Sequence, residues 1–169
     1  DYQNMFGSCT ASGGASGECE IGDSFNAGEA KISGLELVAE TIVESSGMTF
    51  PLRLSFTSTD AEFKNTFSSS FWGDVSAGMA IPDLPETQLA LSAGFDTGNG
   101  WSGTATAYLF GGTCSVASCE AGTKVDSYNT LDLTLNREIS EKIDLYLTMT
   151  NLADNEDIVA RAPKNGARA

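Results

Sequence analysis

Between residues 142 and 150 of the chain, Ile143, Leu145, Leu147 and Met149 alternate with Asp144, Tyr146, Thr148 and Thr150. Period two sends successive side chains to opposite sides of an extended backbone, so this stretch reads as a strand with one apolar and one polar face. The same beat runs upstream. Residues 27–44 put Leu35, Leu37, Ala39, Thr41 and Val43 on one face and Gly34, Glu36 and Glu40 on the other. From Phe50, the residues Leu52, Leu54 and Phe56 oppose Arg53, Ser55, Thr57 and Thr59, in a strand expected to run to about Phe67. Residues 88–97 set Leu89, Leu91, Ala93 and Phe95 against Ala90, Ser92 and Gly94. Residues 101–110 set Gly103, Ala105 and Ala107 against Thr104 and Thr106; residues 128–139 set Leu131, Leu133 and Leu135 against Asp132, Thr134 and Asn136. Residues 1–7 read as the end of one more strand. The pattern predicts an all-β chain, an antiparallel up-and-down meander of about seven long strands in a single domain over residues 1–169.

The connections alternate in length. Long ones follow Gly7, Phe67 and Phe110; short ones follow Glu44, Thr97 and Ile139, at Ser45-Ser46-Gly47, Gly98-Asn99-Gly100 and Ser140-Glu141. The segment 68–85, with Phe71, Trp72 and two prolines, reads as irregular loop. A barrel with long loops on one rim and short turns on the other accounts for that regularity, and a soluble sandwich does not. In a membrane barrel the apolar face meets lipid and the polar face lines the lumen. Strands of about ten residues and aromatic residues near strand ends agree with that setting. No run approaches about 18 apolar residues, so no transmembrane helix is expected, whereas a transmembrane strand announces itself only by alternation.

Composition narrows the function classes. The 169 residues include 18 Gly, and the formal charge is -14, from 23 acidic and 9 basic residues. Such a surface repels a phosphate backbone, so no nucleic-acid partner is expected. There is no histidine. That removes the usual general base and the commonest metal ligand, and with them Ser-His-Asp and Cys-His chemistry. No catalytic, cofactor or metal site is expected, and an enzyme is the weakest reading. Asp154, Glu156 and Asp157 could collect a cation, but such a run is more often polar loop filling. Gly98-Asn99-Gly100 is a turn, lacking the lysine and helix of a phosphate loop.

Four cysteines fall in two local pairs, Cys9 with Cys19 and Cys114 with Cys119, each in a small-residue loop. Two short disulfides fit this arrangement, and they imply an oxidising compartment. A four-thiolate zinc site is the alternative, and the usual C-x-x-C knuckles are missing.

Several stretches taken together resemble a known family. DYQNMFG before the first cysteine loop, FNAGEAKISGLEL after it, PLRLSFTSTDAEFKNTF, FWGDVSAGMAIPDLPETQLALSAGF, and the tail from YNTLDLTLN through NLADNEDIVARAPKNGARA are similar to the C-terminal barrel region of TonB-dependent outer-membrane receptors, the ferric-dicitrate type being the nearest. The resemblance covers essentially the whole chain. It implies a large plugged transmembrane barrel in the outer membrane of a Gram-negative bacterium, taking up a ferric chelate such as ferric citrate or a siderophore. It also implies outer-membrane lipid and a TonB-type inner-membrane energy-coupling complex as partners, the latter through a plug domain that this chain does not contain. On that reading the chain is a segment truncated at both ends, its last strand still to come after Ala169. Ligand contact is expected from the long outer loops, with Trp72 and Arg161 the best-placed candidates, while Arg53 faces the lumen nearer the short turns. Two other classes stay open: a secreted or surface β-sandwich for adhesion or carbohydrate binding, and a small complete barrel. The first predicts a closed core, the second a terminal strand ending in Phe.

Overall fold

A computed structural model describes residues 6–8, 24–26, 29–69, 73–159, 161–162 and 166–167. Six long strands follow one another in a single antiparallel sheet whose spatial order is the chain order. They are β1 (Ala30–Ser45), β2 (Met48–Phe63), β3 (Thr87–Asp96), β4 (Trp101–Phe110), β5 (Tyr128–Ser140) and β6 (Ile143–Met149). The sheet is open: β1 and β6 are its two edges. Of the first expected strand, Phe6–Ser8 is described, paired with Ser24–Asn26 in a small ribbon apart from the main sheet.

The short turns are set by local chemistry. Ser46 and Gly47 both take positive φ, 53° and 77°, as a two-residue hairpin needs for its twist to match the strands it joins. In the β3–β4 turn, Gly98 and Gly100 take the positive φ values. The β5–β6 turn lies at Glu141-Lys142, one residue beyond the expected Ser140-Glu141. A bulge between Glu138 and Ser140 absorbs the extra residue and lets β5 continue to Ser140. Proline in the middle of a strand is also accommodated: Pro51 sits beside Gly94, where a Cβ would come within 2.9 Å of the Pro51 ring.

The strand expected to reach Phe67 ends at Phe63, and the segment 68–85, expected to be irregular throughout, holds short regular pieces among its described residues. Phe67–Ser69 pairs with Gly73–Val75, and residues 79–81 run back along the end of β2 through hydrogen bonds from Phe63 N to Met79 O and from Ile81 N to Ala61 O. The cause is a small aromatic core. Phe63 is completely buried, packed with Val75 and Ala117, and Phe67, Met79 and Ile81 close around it. The Phe63 and Phe67 rings meet edge to face at 5.3 Å. Burying these side chains stabilises the folded-back connection more than continuing the ladder would.

Among the described residues every buried hydrophobic lies at the long-connection end: Ala30, Phe63, Val75, Val116, Ala117 and Val125. Among the described residues no second layer covers the middle of the sheet on either face, and Leu35 is 62% exposed. A closed sandwich core, which the soluble alternative requires, is not what these strands build.

Candidate functional site

Register decides which side chains share a face. Across all six strands the partners run Leu37–Phe56–Leu89–Leu109, Leu54–Leu91–Ala107–Leu131 and Ala93–Ala105–Leu133–Met149. Every apolar series read from the sequence therefore falls on one side. Between the level of Phe50, Phe95 and Trp101 near the short turns and that of Phe56, Leu89 and Leu109 near the long connections, this side carries no charged residue. A shallow hollow of about 560 Å³ lies among its small side chains, Ala39, Ala93, Ala105 and Ala107, with Leu54, Leu91 and Leu131 around it. A face of this kind suits contact with fluid hydrocarbon.

The opposite side takes the charges. Glu36, Glu40, Glu44, Asp96, Asp132, Glu138 and Asp144 point there, with Arg53 as the one cation of these strands on that side. Arg53 is already held: its Nη1 lies 2.9 Å from the Glu40 carboxylate directly across the ladder. Ser92 and Thr106 share a hydrogen bond at 2.9 Å, and the Asp132 carboxylate accepts the Asn151 N–H at 3.0 Å. An open depression of about 480 Å³ on this side is lined by Glu40, Ile42, Pro51, Arg53, Gly94 and Thr104. This wall attracts cations and offers an anion little.

At one rim the long connections lock together. Asp83 N donates to Cys114 O at 2.8 Å, and Ala117 from the second connection packs against Phe63 in the core of the first. Thr113–Cys114 pairs with Lys124–Val125, and a 3-10 turn at Ala121–Thr123 lies between them. Cys114 and Cys119 form a disulfide with Cα atoms 5.2 Å apart. A cleft of about 260 Å³ lies between the two connections, bounded by Ile81, Pro82, Leu84, Val116 and Cys119. Asp83 itself has φ 58°; the residue is largely exposed, and partial desolvation of its carboxyl pushes it above the usual range.

The other expected site residues are placed as follows. Cys9, Cys19 and Trp72 lie outside the described residues. Arg161 stands in the short strand Arg161–Ala162, paired with Gly166–Ala167. Asn151 and Asn155 exchange hydrogen bonds across the turn that holds Asp154, which has φ 52°. Among the described residues no three Asp, Glu or Cys side chains converge as a cation site would need. Sequence reading overlooked Arg137. It continues the apolar series after Leu131, Leu133 and Leu135, and that break in the series was the available signal. Its guanidinium lies 5.1 Å from the Trp101 ring centre, and its Nη1 donates to Asn99 O at 2.8 Å.

No curated protein and no solved structure matches the chain. A family model does, described as TonB dependent receptor-like, beta-barrel, and it matches residues 1–152. The open two-faced sheet, with long connections on one rim and short turns on the other, is what one arc of such a barrel looks like. The chain belongs to the TonB-dependent receptor-like β-barrel family.

Proposed function

We propose that the chain is an arc of the barrel wall of an outer-membrane TonB-dependent receptor that takes up a ferric chelate, ferric citrate or a siderophore. The observation that carries this reading is the division of the sheet: an apolar face free of charge between its rims, and an opposite face bearing seven carboxylates and one arginine. Membership of the family supports an outer-membrane receptor working with a TonB-type energy-coupling complex. The two open edges of the sheet favour further strands on both sides, so the activity belongs to a larger barrel with its plug.

The acidic wall bears on how a chelate would be held. An anionic chelate gains nothing from a face whose one arginine is already paired. Recognition then falls to the outer connections, where the segment 68–85, which holds Trp72, and Arg161 contribute to closing over the ligand. The cysteine pair at Cys9 and Cys19 forms a second loop disulfide like that at Cys114 and Cys119.

The test is uptake of radioactive iron by iron-starved cells with and without the gene for the full-length receptor. Energy-dependent uptake of at least one ferric chelate is expected to disappear with the gene. Unchanged uptake of every ferric chelate, together with loss of a substrate containing no iron, overturns the iron reading. Removing residues 68–85 from the full-length receptor should weaken chelate binding; unchanged affinity sinks the role given to that loop.

A further inference from the structure

We propose that Arg137 and Trp101 form a binding site for the phosphodiester of a membrane phospholipid headgroup at the short-turn rim. The inference rests on reading the sheet as a membrane wall. Arg137 is the charged residue at the short-turn end of the apolar side: its ladder partners are Trp101 on β4 and Leu145 on β6, and the next inward pair is Leu135 with Gly103. A cation in the middle of that face would be costly, but this one stands where the apolar band ends, at headgroup depth.

The guanidinium is presented with its orientation fixed. Its carbon sits 5.1 Å from the centre of the Trp101 ring, and Nη1 donates to Asn99 O at 2.8 Å. The β3–β4 turn is shaped around it. Gly100 has φ 90°, and a Cβ there would come 3.1 Å from Nη1 and 3.0 Å from Glu138 O. Among the described residues no carboxylate lies within ion-pair distance of Arg137, because the neighbouring acids Glu138 and Asp144 project to the other face. One donor of the planar fork is spent on Asn99 O. The rest suit two oxygens of one phosphate, and the ring beside them, 46% exposed, matches the glycerol and upper acyl region. A lipid fits better than free phosphate because the donors border the apolar band, so a phosphate held there leaves its chains lying along Phe95, Gly103 and Ala105.

The experiment is native mass spectrometry of the full-length receptor in mild detergent, titrated with phosphatidylglycerol. Arg137→Gln is expected to weaken the tightest bound lipid about tenfold, the size of one charged hydrogen-bonding group. Arg137→Lys, which keeps the charge and loses the fork, should fall between. Unchanged lipid affinity in Arg137→Gln overturns the proposal, and so does complete displacement of the lipid by millimolar inorganic phosphate, which would mark a free-anion site. A cysteine placed at Leu133, on the same face, separates the two levels of inference. If Leu133→Cys in outer-membrane vesicles reacts rapidly with a water-soluble maleimide, the membrane reading itself fails. If it is protected while lipid affinity is unchanged, only the headgroup site fails.

Discussion

The centre of the apolar face is where the membrane reading can be tested most sharply. Along β4 from Trp101 to Leu109 the chain advances eight residues, or about 27 Å at ~3.4 Å per residue. Strands in such barrels tilt by roughly 40°, which leaves about 20 Å perpendicular to the membrane, close to the ~25 Å apolar band expected of them. Ala105 stands halfway, and its ladder partner on β5 is Leu133. Leu133→Arg therefore puts a guanidinium near the midplane, at a cost of about 2–4 kcal/mol. Thr134→Arg is the control one residue away. Thr134 pairs with Thr104 and Thr148 on the polar side, so the new side chain enters water beside carboxylates. Its cost should stay within about 0.5 kcal/mol.

The difference, about 3 kcal/mol, corresponds to more than a hundredfold in the folding equilibrium. Refolding of the full-length receptor into lipid vesicles, followed through a urea titration, reads it directly. Leu135→Arg, one step nearer the rim, should cost less than Leu133→Arg, since position 137 already holds an arginine. Equal effects of Leu133→Arg and Thr134→Arg would refute the assignment of faces.

Two further perturbations address the long-connection rim. Replacing Cys114 and Cys119 together by Ser opens a bridge across five positions, worth about 2 kcal/mol by loop closure; trypsin should then cut at Lys124 faster while the six-stranded sheet stays intact, and unchanged cleavage would show that the bridge does not hold this loop. Partial desolvation raises the carboxyl of Asp83, a residue exposed on the whole, so the folded state holds the proton somewhat more tightly than the unfolded chain. The stability it contributes is present below the unfolded pKa and lost as pH rises through the folded one. Asp83→Asn keeps a residue that tolerates φ 58° and removes the ionisation. Hydrogen exchange at the Ile81 amide should therefore match the parent in acid and become slower than the parent at neutral pH, and a faster rate at neutral pH would contradict the desolvation argument.

Period two was enough to read the strands, because each of six series of apolar residues had to reach the same face for the sheet to work. The registers bring them there without exception, from Leu37 through Met149. The first two short turns were equally legible, since Gly47 and the two glycines around Asn99 announce backbone angles other residues avoid, whereas the third, without a glycine, lies one residue beyond its expected place. The end of β2 was not legible. The apolar parity of Leu52, Leu54 and Phe56 passes to Ser58, Asp60 and Glu62, while Phe63 and Phe67 fall on the Arg53 parity, and only contacts with Val75, Met79 and Ala117, far along the chain, show that Phe63 is a core residue. The identity of the apolar face was also hidden, because lipid and protein cores demand the same side chains. What separates them is that, among the described residues, no second layer covers Leu35, Leu37, Leu145 or Leu147.

The charge of -14 takes on a meaning in the fold that composition could not give it. A lipid-facing band must be neutral, so the wall's charges collect on the other side and around the rims. On the polar side Glu138 and Asp144 stand directly opposite each other on adjacent strands, an arrangement that repels unless something positive faces it. The Arg53–Glu40 pair is well exposed and contributes at most about 1 kcal/mol, so it does not explain why a cation is retained there. Its effect is to leave the wall without a cation free for an anion. On the proposed reading, specificity for an anionic chelate is then built at the outer rim, from connections that the Phe63 core and the Asp83–Cys114 hydrogen bond hold together as one unit.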